Sequence, residues 1–158
     1  MPFPIPSKHH LRGWQSACLR TCATALAAGL MAGLSSADPG AVDQRHDLRF
    51  TAQEQQRFLS EMRAMLGSVQ QIAQGLGSAD RTLIAEAARR SGNRMARATP
   101  ASERAKVPKA FEELGGPTHL MFEELAIRAE TDDMDQLASL LGQTMQQCLA
   151  CHALFRVR

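Results

Sequence analysis

Residues 51–77 read TAQEQQRFLSEMRAMLGSVQQIAQGLG. Apolar side chains fall at Phe58, Met62, Met65, Val69, Ile72 and Leu76, a spacing of 4, 3, 4, 3, 4 that puts all six on one helical face. Leu59, Leu66 and Ala73 widen that stripe. Thr51 with Glu54 three residues on fits a capping box, in which hydroxyl and carboxylate each satisfy an amide left over at the helix start. Gly75 and Gly77 are placed to end the helix, since glycine enters the left-handed turn at little cost. The same beat returns at Leu137, Leu141, Thr144, Cys148, Cys151 and Phe155, flanked by Leu140, Met145 and His152. Two helices with one beat set the class as all-α.

Two further helices fit between them. One runs from about Asp80 to Arg97, its inner face carrying Leu83, Ala87, Ser91 and Met95 beside Ile84 and Ala88, and Thr99-Pro100 stops it. That face is rich in small side chains and so admits a close neighbour or a bulky ligand. Residues 101–116 hold Pro108 and two glycines and read as a connection, with one helical turn around Phe111 to Leu114. The next helix starts near Pro117, where proline suits a first helical position, and carries Met121, Phe122, Leu125, Ala126 and Ala129. Thr131, Asp132 and Asp133 offer N-caps for the last helix. Four amphipathic helices with short links predict an antiparallel four-helix bundle over residues 51–158. Its core is modest in size, so a buried ligand would help to stabilise it.

Composition agrees. Of 158 residues 4 % are aromatic, with no Tyr, and the chain is rich in Ala, Leu, Met and Gln, which disfavours sheets. The formal charge of +2 with no basic stripe argues against a nucleic-acid partner.

The amino-terminal part has a different character. Lys8, Arg12 and Arg20 precede a small and apolar run from Cys22 to Leu34, followed by Ser35, Ser36 and Ala37. A basic front, a short apolar stretch and a small-x-small exit form the layout of a secretory signal peptide, assigned here to residues 1–37 with cleavage after Ala37. A membrane anchor is the competing reading, but a span needs about twenty apolar residues and this run is shorter. Residues 38–50 form a polar lead-in. The mature chain is then expected to be periplasmic, with no stable membrane insertion. Cleavage removes Trp14, Cys18, Cys22 and three basic residues, leaving fifteen basic side chains against sixteen acidic ones.

The chemistry lies in Cys148-Leu149-Ala150-Cys151-His152, the Cys-x-x-Cys-His pattern of c-type haem attachment. On a helix these positions share a face, so two thiols can reach the haem vinyl groups and the adjacent imidazole the iron. A redox disulfide would call for a βαβ setting, and zinc for a second pair of ligands; neither pattern is in the sequence. A structural disulfide across one helical turn fits poorly. The expected cofactor is one covalent haem c, with His152 as the proximal axial ligand.

A helical pattern with Cys-x-x-Cys-His near the C-terminus resembles cytochrome c′ and its low-spin relatives, the class II c-type cytochromes. The resemblance covers roughly residues 51–158 and is most specific over Cys148–Arg156. Family members often carry an aromatic and then a basic residue three and four places after the haem histidine, as Phe155 and Arg156 do here. The resemblance implies that Arg156 lies beside the proximal imidazole; the alternative is a surface arginine favoured by the helix dipole. It also implies a distal residue from the first helix, Leu in five-coordinate gas-binding members and Met in six-coordinate electron carriers. Met62 falls at that position, and its other reading is core filler. Leu59 and Met65 are its register neighbours. Family members often show Arg-Gln four and three residues earlier, where this chain has Phe58 and Leu59. His119, at the start of the third helix, is either a haem-propionate partner, a polar helix-end residue or an axial ligand. Arg63 is a propionate partner or a solvated side chain, and His46 reads as solvated.

The implied role is one-electron transfer with periplasmic redox proteins, and not an enzyme activity. The alternative is nitric oxide or carbon monoxide binding at an open iron. Relatives commonly pair as homodimers through their first two helices.

Overall fold

A computed structural model describes residues 42–158. The proposed leader, with Trp14, Cys18 and Cys22, lies outside the described residues. In chain order the elements are β1 (His46–Leu48), α1 (Ala52–Ser78), α2 (Arg81–Ser91), α3 (Asn93–Ala98), α4 (Ala101–Arg104), α5 (Lys109–Arg128), α6 (Met134–Leu154) and β2 (Phe155–Val157). The described chain is predominantly helical, as composition predicts.

The capping box at the head of α1 forms as expected: the Thr51 N–H donates to Glu54 Oε2 at 2.8 Å, and the Glu54 N–H to Thr51 Oγ1 at 3.4 Å. The end of α1 corrects the sequence reading. Gly75 and Gly77 stay helical, and the left-handed turn is taken by Ala79 (φ 54°). Gly75 serves close packing instead, since a Cβ there would sit 2.7 Å from Ile84 Cγ1 and 3.0 Å from the Asp80 carbonyl oxygen. The buried face of α1 is also turned relative to the predicted stripe. Met65, Ser68, Ile72 and Gly75 are buried, whereas Phe58, Met62, Val69 and Leu76 are half-buried. The close approach of α2 at Ser68 and Gly75 rotates the helix that way.

Asp80 caps α2 by accepting the Leu83 N–H at 2.9 Å. The helix stops at Ser91 rather than at Arg97, and α3 restarts with its Asn93 N–H donating to the Glu123 carboxylate at 3.0 Å. α5 departs furthest from expectation. It begins at Lys109 and runs through Gly115, Gly116 and Pro117, so His119 lies mid-helix. Pro117 lacks the N–H that would pair one turn back and would disfavour a helix by about 3 kcal/mol in isolation. Burial of Thr118, Phe122, Leu125 and Ala126 on one continuous face outweighs it. Asp133 caps α6, accepting the Gln136 N–H at 2.8 Å, while Asp132 takes the Arg128 guanidinium at 2.6 Å.

α1 packs on α2, α2 on α5 and α5 on α6, and α6 returns to α1 along a shorter seam. Ile72, Ile84, Phe122, Leu125 and Leu137 are fully buried between them. Ala87, Ala88, Ala126 and Ala129 are also fully buried, and their small side chains allow the helices to approach closely. Arg57 pairs with the buried Glu103 carboxylate, and Lys106 Nζ with Glu54 Oε1 at 2.6 Å, fastening the connection around α4 to the head of α1. Part of the polar lead-in is structured. β1 pairs in parallel with β2, His46 opposite Phe155 and Leu48 opposite Val157, and Leu48 is only 2 % exposed. Among the described residues no helix is long and apolar enough to cross a membrane.

Candidate functional site

The β1–β2 pairing brings the head of α1 near the tail of α6. Four aromatic rings mark that end. Centroid distances are 5.3 Å for Phe50–Phe58, 5.8 Å for Phe58–Phe111 and 5.4 Å for Phe111–Phe155, with the last pair edge-on. Phe58 and Phe155 are thus linked through the Phe111 ring. Met62 lies one helical turn, about 6 Å, beyond Phe58 on α1, and Cys151 one turn before Phe155 on α6.

Packing loosens at this depth on both helices. Along α6 the inward stripe is fully buried at Leu137 and Thr144 but half-buried at Cys148 and Cys151. Along α1 Ile72 is fully buried, and Met62 only half-buried. Apolar side chains nearby in sequence face water, Leu149 at 72 % and Leu66 at 68 % exposure. On α1, Ser68 and Gly75 meet α2, and Met65 and Ile72 belong to the core cluster. Met62 lies roughly 120° round the helix from Ser68. That edge is turned away from the face that meets α2.

Both cysteines carry free thiols. Burial pushes both thiols up from their ordinary value, and Cys148 adds to the effect at Cys151, which marks them as close neighbours. The Cys148 thiol leans back on the Thr144 carbonyl at 3.6 Å. Neutral, reduced thiols one helical turn apart suit thioether formation with an apolar macrocycle. His152 follows directly and is exposed, and its backbone carbonyl accepts from Arg45 Nη1 at 3.4 Å. Arg156 begins one residue into β2. Its side chain is 16 % exposed, Nη1 meets Asp43 Oδ2 at 2.9 Å, and Nε is buried with no partner. That unsatisfied donor is compatible with an anionic or hydrogen-bonding group seated beside it. The Arg45 guanidinium first, and then Arg156, holds the Asp43 carboxyl far below the usual carboxylate range.

The structure thus places Cys148, Cys151 and His152 on the last turns of α6, with Arg156 in β2 tied to the same end through Asp43 and Arg45, and packs Met62 on α1 against the core cluster. His119 is placed elsewhere than at a helix start. Its ring Nδ1 donates to the Ser91 carbonyl at 2.7 Å, tying α5 to the end of α2. Arg63 is exposed, as is His46, whose ring stands edge-on to Phe155 at 6.0 Å.

Glu61 was missed in the sequence. Burial raises its carboxyl above the ordinary value, while His119 and Arg57 pull it back. Its signal was its place three residues after Phe58 and four before Met65. A surface cleft of about 420 Å³ lined by Arg89, Arg90, Arg94, Arg97, Glu86 and Glu123 contains none of the predicted site residues. Comparison with protein-family models, with curated proteins and with solved structures finds no match to this chain.

Proposed function

We propose that this chain is an exported c-type cytochrome of the class II kind. In this reading α1, α2, α5 and α6 form an antiparallel four-helix bundle that carries one haem c, covalently bound through Cys148 and Cys151. The observation that carries the reading is the pair of free, half-buried thiols one turn apart near the end of α6, followed directly by His152. When bound, the haem supplies an iron that cycles between ferric and ferrous states. His152 would be its proximal ligand and Met62 the distal one, a soft thioether that favours reduced iron. Arg156 would sit near the proximal side. Phe58, Phe111 and Phe155 would keep water from the haem edge. The protein then acts as an electron carrier between periplasmic redox proteins, and not as an enzyme; nucleic acid is not a partner in this reading.

A second reading keeps the haem and leaves the iron open, giving a gas-binding protein for nitric oxide or carbon monoxide. It is favoured by the contact of Met62 with the core cluster, which engages the thioether elsewhere. One experiment separates the two. Optical spectra of the purified protein should show a low-spin haem with a sulfur-to-iron band that disappears in Met62→Ala. A high-spin ferrous spectrum that shifts on adding carbon monoxide overturns Met62 ligation in favour of the second reading. A colourless protein with an unmodified 148–152 peptide overturns both.

A further inference from the structure

The residues just ahead of α1 hold the attachment segment at three points. β1 pairs with β2, which starts at Phe155, the C-cap of α6. A two-stranded parallel pair has little stability of its own, so side chains must secure it. Leu48 is buried beneath it, and the His46 ring meets Phe155. Next, the Asp43 carboxylate gathers two guanidinium groups: Arg45 through Nε at 3.0 Å and Nη2 at 2.8 Å, and Arg156 through Nη1 at 2.9 Å. Asp43 is the carboxylate that Arg156 meets, through Nη1, and Arg156 Nε has no acceptor. Finally, Arg45 Nη1 reaches the His152 carbonyl, one of the last-turn acceptors that a helix cannot satisfy internally.

These contacts converge on two residues of the candidate site, His152 by its backbone and Arg156 by its side chain. We infer that Asp43–Leu48 is a strap that sets the frame of the haem-attachment segment, with Asp43 and Arg45 as positioning residues for His152 and Arg156. The inference rests on the reading of His152 as an iron ligand. Helix ends fray, and α6 would present its imidazole from a fraying last turn. The strap closes that turn from outside the helix. It also fixes the Arg156 guanidinium, whose placement beside a ligating imidazole would govern the ligand's orientation and basicity.

The test uses the full purified protein with Asp43→Asn, Arg45→Gln and, as the conservative control, Asp43→Glu. Hydrogen exchange read by mass spectrometry should quicken about tenfold or more over residues 150–158 in the first two variants. Exchange over Ala85–Ala88 should stay unchanged, and Asp43→Glu should restore most of the protection. A structural tie alone would stop there. Positioning further requires that the ferric electron paramagnetic resonance spectrum split or broaden into several ligand-field species, and that the midpoint potential move. Unchanged exchange over residues 150–158 overturns the strap. Faster exchange with an unaltered spectrum and potential overturns the positioning role. A colourless protein overturns the haem reading and the positioning role with it, while the exchange measurement still decides the strap. Should Asp43→Asn fail to fold, Arg45→Gln, at an exposed side chain, carries the same measurements.

Discussion

Deleting the Ser91 hydroxyl should destabilise the fold more than the loss of one small group suggests. Ser91 Oγ donates to Ser68 Oγ at 2.8 Å, and the two residues are 0 % and 2 % exposed. The pair sits where α1 and α2 touch, and burial keeps both hydroxyls from bulk solvent. Ser91→Ala therefore leaves the Ser68 hydroxyl buried and without this partner, at a cost of about 1–3 kcal/mol. Ser68→Ala strands Ser91 in the same way. Removing both hydroxyls removes the mismatch, so the double variant should lose much less than the two singles combined, with a coupling of roughly 1–2 kcal/mol. For a domain of this size 1 kcal/mol moves the melting temperature by about 4 °C, so each single variant should melt some 4–12 °C early.

Urea titrations of the four proteins, with two spectroscopic probes to check two-state behaviour, give the cycle directly. The Ser91 carbonyl survives the substitution, so His119 keeps its acceptor and the cycle isolates the hydroxyl pair. A double variant that loses the full sum of the singles, or a Ser91→Ala protein as stable as the parent, refutes the reasoning.

The two glycines of α1 should respond in opposite senses. A Cβ at Gly67 meets nothing within 4 Å, so Gly67→Ala should stabilise by roughly 0.5–1 kcal/mol, whereas Gly75→Ala must push against Ile84 and the Asp80 carbonyl and should cost about 1–3 kcal/mol; urea midpoints check both. Acid should weaken the head of α1. Lys106 first and the Thr51 N–H second hold Glu54 at about 2 against its ordinary 4.5, so its contribution is complete above that ordinary value and is lost as pH falls toward about 2. Glu54→Gln should accordingly be less stable than the parent near neutral pH, with the gap closing as the solution is acidified; a constant gap would show that the pairing contributes nothing through charge.

Much of the helical frame was legible because its signals are local. The capping box of α1, the Asp80 cap of α2 and the caps before α6 can each be read within four residues. The head of α5 was hidden by an equally local signal pointing the wrong way. Gly115, Gly116 and Pro117 read as a break, yet Phe111, Leu114, Thr118, Phe122 and Leu125 keep one face through them. Burial summed over that face outweighs three poor helix formers, and the sum is a property of the packed state. The β1–β2 pair carried no usable signal, since three residues are too few to show alternation and their partners lie at opposite ends of the described chain.

The same division between local and long-range information runs through the candidate site. Cys148, Cys151 and His152 could be singled out from the sequence because their chemistry depends on spacing along one helix. Met62 could be selected but not oriented, because its direction depends on how far α1 is turned about its axis. That turn is set elsewhere, by Ser68 against Ser91 and by the missing side chain of Gly75 against Ile84, both contacts with α2. With those positions held toward α2, Met65 and Ile72 take the core, and Met62 is turned to the edge of the core cluster, half-buried. A helix turned one residue further would bury Met62 among the aliphatic side chains and bring Glu61 out of its half-buried place. Contacts two turns and more along the helix thus decide how far this thioether is exposed at the edge of the core. The reading of Met62 as a distal ligand therefore stands or falls with the seating of α1 on α2 as much as with the residue itself.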